Sequence, residues 1–154
     1  MPEEETVKIQ AEDRLVAALC HLSAFVPFFG MLAALVIWLT QKIRSRWLGF
    51  QALQALIFQG IAFGLYYLIG FGMSAGYLVF IFPLIALSES GWGDRVPFFL
   101  APFLFLFFGM LLIIVAATFV YYSLAGLAAI NTLRGKDYRY PLIGKLTESL
   151  APRR

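Results

Sequence analysis

The sequence predicts an all-α fold, an integral membrane bundle of helices, on three observations. Of the 154 residues, 61% are hydrophobic and only 14% are charged, against about 25% charged in an ordinary globular domain. The charges are also segregated: no Asp, Glu, Lys or Arg occurs from Leu15 to Gln41, from Trp47 to Ser88, or from Val96 to Leu133. Each window exceeds the roughly 20 residues that cross a bilayer core about 30 Å thick, and a helix satisfies its own backbone there.

The first fourteen residues form an acidic segment opening P-E-E-E. A secretory signal peptide is basic at that point and has an A-x-A-like site after a short apolar run, so this start is not expected to be one. Residues 15–133 make the membrane domain and residues 134–154 a basic tail. None of the polar segments is long enough to bury a core of its own, which leaves no soluble catalytic domain.

Three spans are predicted within the membrane domain. The first covers about residues 15–40 as one helix, kinked or loosened at Pro27 and Gly30. The second covers about 52–75, followed by an apolar extension to 87. Its full run is about 54 Å long if straight, so a break or kink is expected around Gly70, Gly72 and Gly76, with Pro83 further on. The third covers about 97–131, with irregular first turns at Pro97 and Pro102. A four-span alternative splits the second or third window, but it needs a turn with no charged loop.

Charge bias orients the set. The loop Q-K-I-R-S-R carries Lys42, Arg44 and Arg46 without an acid, and the tail carries Arg134, Lys136, Arg139 and Lys145. The N-terminus and the loop S-E-S-G-W-G-D-R lean acidic. Three crossings place both basic regions in the cytoplasm, giving N-out and C-in. Trp38, Trp47 and Trp92 fall at window edges, where aromatic side chains anchor at the interface.

Within this frame a few residues stand out. Gln51, Gln54 and Gln59 lie within about 140° of one another on a helix and form one broad polar face. They either hydrogen-bond neighbouring helices or line a path for a solute or polypeptide. Gly60 and Gly64, and Gly72 and Gly76, have the G-x-x-x-G spacing that lets helices approach closely. His21 is the one histidine. It is a candidate ligand for a haem or pigment, or else a hydrogen-bonded packing residue. The lone Cys20 rules out an internal disulfide and a Cys-cluster metal site.

After the third window comes N-T-L-R-G-K-D-Y-R-Y-P-L-I-G-K-L. Tyr138 and Tyr140 have the character of headgroup-level anchors beside the cationic Arg139, and Pro141 redirects the chain into a short amphipathic segment. Together with Lys42, Arg44, Arg46, Arg134 and Lys136, these residues make a candidate surface for membrane or partner docking. No ionisable pair lies within the windows, and no G-x-S-x-G, H-E-x-x-H, Walker or dinucleotide motif occurs, so an enzyme is not expected.

The order D-R-L-V-A-A-L-C-H-L-S-A, V-I-W-L-T-Q-K, F-Q-A-L-Q-A-L-I-F-Q and A-A-I-N-T-L-R-G-K-D-Y-R-Y-P-L resembles a widespread group of small prokaryotic membrane proteins. That group is classed as a domain of unknown function. It is distantly similar to the twenty-kilodalton component of the chloroplast inner-envelope import translocon (Tic). The resemblance covers roughly residues 12 to 146, and the stretch from Gly70 to Pro102 is longer and more aromatic than the pattern. It implies a helical membrane fold and little about activity.

The expected function is that of a non-catalytic accessory or scaffold subunit packing against a larger membrane complex. The alternatives are a component of an oligomeric translocation or permeation pathway, and a pigment- or haem-associated subunit using His21. The expected partners are the lipid bilayer and other membrane subunits, with no nucleic acid and no cofactor required. The expected location is the prokaryotic inner (cytoplasmic) membrane.

Overall fold

The computed structural model describes residues 9–91, 96–141 and 143–150. The acidic Glu3, Glu4 and Glu5, the loop residues Trp92 and Asp94, and the last four residues lie outside them. Among the described residues the regular structure is all helical. It comprises α1 (Ala11–Leu22), a 3-10 turn (Ser23–Phe25), α2 (Pro27–Gln41), α3 (Arg46–Glu89), α4 (Val96–Leu133) and α5 (Ile143–Leu150). The chain divides into two compact units: Gly64–Val120 forms one, and the residues before and after it form the other.

The first window is not one helix. In a continuous helix Ser23 and Gly30 would lie about 10 Å apart along the axis, yet Ser23 Oγ donates to the Gly30 carbonyl at 3.1 Å. The chain therefore reverses between α1 and α2. Pro27 explains where: it has no N–H to give, and its ring pushes the preceding residue out of the helical region. Val26 accordingly sits at φ −120° and ψ 81°, with Pro27 opening α2. Gly30 then packs so tightly on the Ser23 backbone that a Cβ would collide with the Ser23 carbonyl oxygen.

A second tight turn joins α2 to α3. Ser45 caps α3, its hydroxyl accepting from the Leu48 N–H at 3.3 Å. A Cβ on Gly49 would lie 2.8 Å from Lys42 Cα, so only glycine allows the turn to close this far. Down the resulting antiparallel pair, Cys20, Ala34, Ala52 and Ala55 form a buried core with Ile37, Trp38 and Leu56 packed against it. Small side chains dominate here, as they do where membrane helices associate by close contact.

The glycines singled out by spacing behave differently. A Cβ at Gly64, Gly72 or Gly76 would meet nothing within 4 Å, and one at Gly60 only Met31 Sδ at 3.9 Å. Close packing belongs instead to Gly30, Gly49 and the buried alanines Ala17, Ala18, Ala125, Ala128 and Ala129. The G-x-x-x-G pattern marks an open face because a helix needs a neighbour at that level to use it.

Helix α3 runs unbroken for 44 residues, through Gly70, Gly72, Gly76 and Pro83. The expected break is absent, since isolated glycines lower helix propensity without preventing a helix. Helix α4 is likewise regular from Val96 through Pro102. In the Gly64–Val120 unit the two run antiparallel: Tyr66 and Thr118 hydroxyls lie 2.6 Å apart, and Phe80 stacks on Phe103 at 4.2 Å. At its far end α4 closes with Gly135 at φ 70°. Gly135 N–H donates to the Thr132 carbonyl and Lys136 N–H to that of Asn131, each at 2.9 Å, which is the Schellman ending.

Both long helices expose their apolar side chains. Phe71, Val79, Phe105 and Phe119 are all exposed, and α3 and α4 are each long and apolar enough to cross a bilayer while almost none of their most apolar stretch is buried. A soluble protein does not leave apolar surface on this scale in water. The chain is an integral membrane protein.

Candidate functional site

The three glutamines of α3 are buried, and each is turned toward backbone that no helix satisfies. Past α4, residues 136–140 run in an irregular conformation back against α3. Buried irregular backbone needs other groups to satisfy its N–H and C=O. Gln54 does this twice: its Nε2 donates to the Tyr138 carbonyl and its Oε1 accepts the Tyr140 N–H, both at 3.1 Å. Gln51 Nε2 donates to the same carbonyl at 3.3 Å and to Asp137 Oδ1 at 3.0 Å.

His21 closes the network from α1. Its Nε2 lies 3.3 Å from Gln51 Oε1 and its Nδ1 lies 3.0 Å from the Tyr140 hydroxyl. An amide oxygen can only accept, so the tautomer that fits carries its proton on Nε2 and leaves Nδ1 to accept from Tyr140. Both ring nitrogens are engaged, and a metal or haem would have to displace one of these bonds. Among the described residues, no group of three His, Cys, Asp or Glu side chains is placed to hold a metal ion.

Aromatic rings wall the network. Phe58 stacks on Tyr140 at 4.1 Å and on Tyr121 at 4.9 Å, while Tyr138 meets Tyr140 edge-on at 5.1 Å. Tyr140 is only 2% exposed. It is therefore no surface anchor, contrary to the expectation from its place beside Arg139; it is the plug that the segment inserts between α1 and α3. Burial pushes the hydroxyls of Tyr138 and Tyr140 above the usual tyrosine range.

Gln59 serves the other end of the hairpin. Its Nε2 donates to the Cys20 carbonyl at 2.9 Å and to Ser23 Oγ at 3.2 Å, where α1 ends and the reversal leaves carbonyls without helical partners. Gln59 Oε1 is buried and has no donor among the described residues. So Gln51 and Gln54 hold the tail segment, and Gln59 holds the turn.

The charged residues of the α2–α3 turn and the tail stay at the surface. Arg139 pairs with Glu148 on α5 at 2.7 Å and more loosely with Asp137 at 3.8 Å. Lys42 Nζ lies 4.5 Å over the Trp38 ring. Arg44, Arg46, Arg134, Lys136 and Pro141 are exposed. The structure thus brings His21, Gln51, Gln54, Tyr138 and Tyr140 together and leaves these cations and Pro141 outside the cluster. Sequence reasoning missed Asp137 as a partner of Gln51, and Ser23 as a partner of Gln59; the Ser23-to-Pro27 spacing was the one available signal.

The elements that carry this network lie within residues 12–147, and that whole stretch matches the model of the magnetosome magnetite crystal formation protein family, MamF/MmsF. The chain belongs to the MamF/MmsF family. The resemblance to the group related to the chloroplast translocon component is overturned by this match: A-x-x-H-L-S, Q-A-L-x-F-Q and Y-R-Y-P-L all fall inside the MamF/MmsF stretch. No curated protein and no solved structure matches the chain. The matched stretch contains His21, Gln51, Gln54, Tyr138 and Tyr140, a clasp of side chains that holds α1, α3 and the tail together.

Proposed function

We propose that the chain is a non-catalytic accessory protein of the membrane around a forming magnetite crystal. The family match over residues 12–147 supports this reading. Its polar cluster supports it too: the hydrogen-bonding groups of His21, Gln51 and Gln54 bond one another and the tail backbone, as structural pins do. A glutamine-lined path loses its lining for the same reason.

The proposed topology has two crossings, α3 and α4, and a re-entrant α1–α2 hairpin. At 12 and 15 residues, α1 and α2 are about 18 and 22 Å long, too short to span about 30 Å. The hairpin returns the chain through α2 to the end where α1 starts, and there Arg14 lies against Gly135, just past α4. The start of α1 and the tail then share one face with Lys42, Arg44 and Arg46, and the positive-inside bias makes that face cytoplasmic. This replaces N-out with N-in.

Two experiments test the reading. Deleting the gene in a magnetite-forming bacterium should give smaller or fewer crystals in electron micrographs, restored by the wild-type gene and not by Gln54→Leu. Crystals of unchanged size and number would refute the function. Single cysteines at Glu12→Cys, Arg44→Cys and Ser90→Cys test the topology with an impermeant thiol reagent applied to intact cells. Only Ser90→Cys should react; Glu12→Cys reacting alike would return the protein to three crossings.

A further inference from the structure

We infer that the end of α4 holds a phospholipid-phosphate site built from Arg14, Arg134 and Lys136. Arg14 leaves α1 and lays its guanidinium against the Gly135 turn: a Cβ there would lie 2.9 Å from both Cζ and Nε and 3.3 Å from Nη1. Glycine is favoured at this position by φ 70°. Arg14 Nε is buried and has no acceptor among the described residues. A guanidinium is an arrangement of donors only, suited to a planar pair of carboxylate or phosphate oxygens.

Among the described residues none supplies those oxygens to Nε. The Ile130, Asn131 and Thr132 carbonyls at the end of α4 already accept from the Arg134, Lys136 and Gly135 N–H groups. Asp137, the acid next to Lys136, bonds Gln51 Nε2 at 3.0 Å and faces Arg139 at 3.8 Å. Arg134 and Lys136 flank Gly135 and are exposed. Three cationic residues thus border one turn, and Arg14 Nε, buried against it, has no acceptor among the described residues.

The surroundings select a lipid over a free anion. Leu15, next to Arg14, is 54% exposed, and Leu133, next to Arg134, is 46% exposed. Cations bordered by exposed leucines at the end of a membrane-crossing helix match a headgroup phosphate with acyl chains beside it. The site does not depend on the number of crossings or on which face is cytoplasmic, so it can fail while the proposed topology stands.

The test uses the full chain in mild detergent, titrated with phosphatidylglycerol or phosphatidylcholine and read by native mass spectrometry. Phosphatidylglycerol should be retained preferentially. Arg14→Gln and, separately, the exposed Lys136→Gln should each weaken its retention about fivefold, the effect of one cation near an anionic surface, and leave phosphatidylcholine unchanged. Lys42→Gln, on the α2–α3 turn, should change neither. Equal losses in Lys42→Gln and Lys136→Gln would reduce the site to diffuse charge and overturn the inference. So would wild-type retention in both Arg14→Gln and Lys136→Gln, or displacement of the lipid by millimolar inorganic phosphate.

Discussion

Replacing Gln54 by leucine isolates the polar part of the clasp, because the two side chains have similar volume. Two bonds end on this amide. The Tyr138 carbonyl keeps a second donor, Gln51 Nε2 at 3.3 Å, so its loss is small, about 0.6 kcal/mol for a polar contact between membrane helices. The Tyr140 N–H keeps none, and a buried donor without a partner costs about 1–3 kcal/mol. The sum is about 2 kcal/mol, or about thirtyfold in the equilibrium that releases residues 136–140 from α3. Hydrogen–deuterium exchange on the protein in lipid nanodiscs reads this directly. Amides of the 134–150 segment should exchange about thirtyfold faster in Gln54→Leu, with α3 beyond Gly64 unaffected. Gln59→Leu contacts the hairpin turn and not the tail, so it should leave that segment protected. Unchanged tail exchange in Gln54→Leu, or equal acceleration in both variants, would refute the argument that these glutamines hold different parts of the chain.

Other substitutions separate close packing from open surface. Gly30→Ala drives a methyl into the Ser23 carbonyl and should lower stability by about 1–3 kcal/mol. By contrast, Gly64→Ala meets nothing and should raise it by about 0.5–1 kcal/mol through helix propensity; thermal melting in detergent compares the two. A double-mutant cycle with His21→Leu and Tyr140→Phe should return a coupling of about 0.6 kcal/mol, since Tyr140→Phe keeps the stack on Phe58 and removes the hydroxyl bonded to the ring. Glu148→Gln breaks the 2.7 Å pair with Arg139, but both partners are well exposed, so the loss should be below about 0.5 kcal/mol and vanish in about 1 M salt.

Part of the site was legible in the sequence. The polar face of Gln51, Gln54 and Gln59 follows from helical periodicity alone, and so does the expectation that such a face looks inward. The identity of its partners was hidden by distance: Tyr138 and Tyr140 lie 84 or more residues from Gln54. Tyrosines beside arginines after an apolar window read equally well as headgroup anchors, because an amphipathic ring suits both places. His21 was ambiguous for a related reason. A lone intramembrane histidine needs partners, and neither an amide oxygen thirty residues on nor a hydroxyl 119 residues on leaves a local trace.

Composition and charge spacing by themselves determined that the chain is helical and lies in a membrane. Both follow from local physics: uncharged runs longer than a bilayer must be buried in lipid, and lipid demands that the backbone satisfy itself. Hydropathy does not determine how many times such a run crosses, because a hairpin and a single span bury the same residues. The tertiary structure decided that the first run folds into a hairpin, at Ser23, Pro27 and Gly30, where a missing N–H and the bare backbone of a glycine turn the chain back on itself. It also decided what the glutamines are for, since only the returning tail shows which backbone groups were left for them to bind.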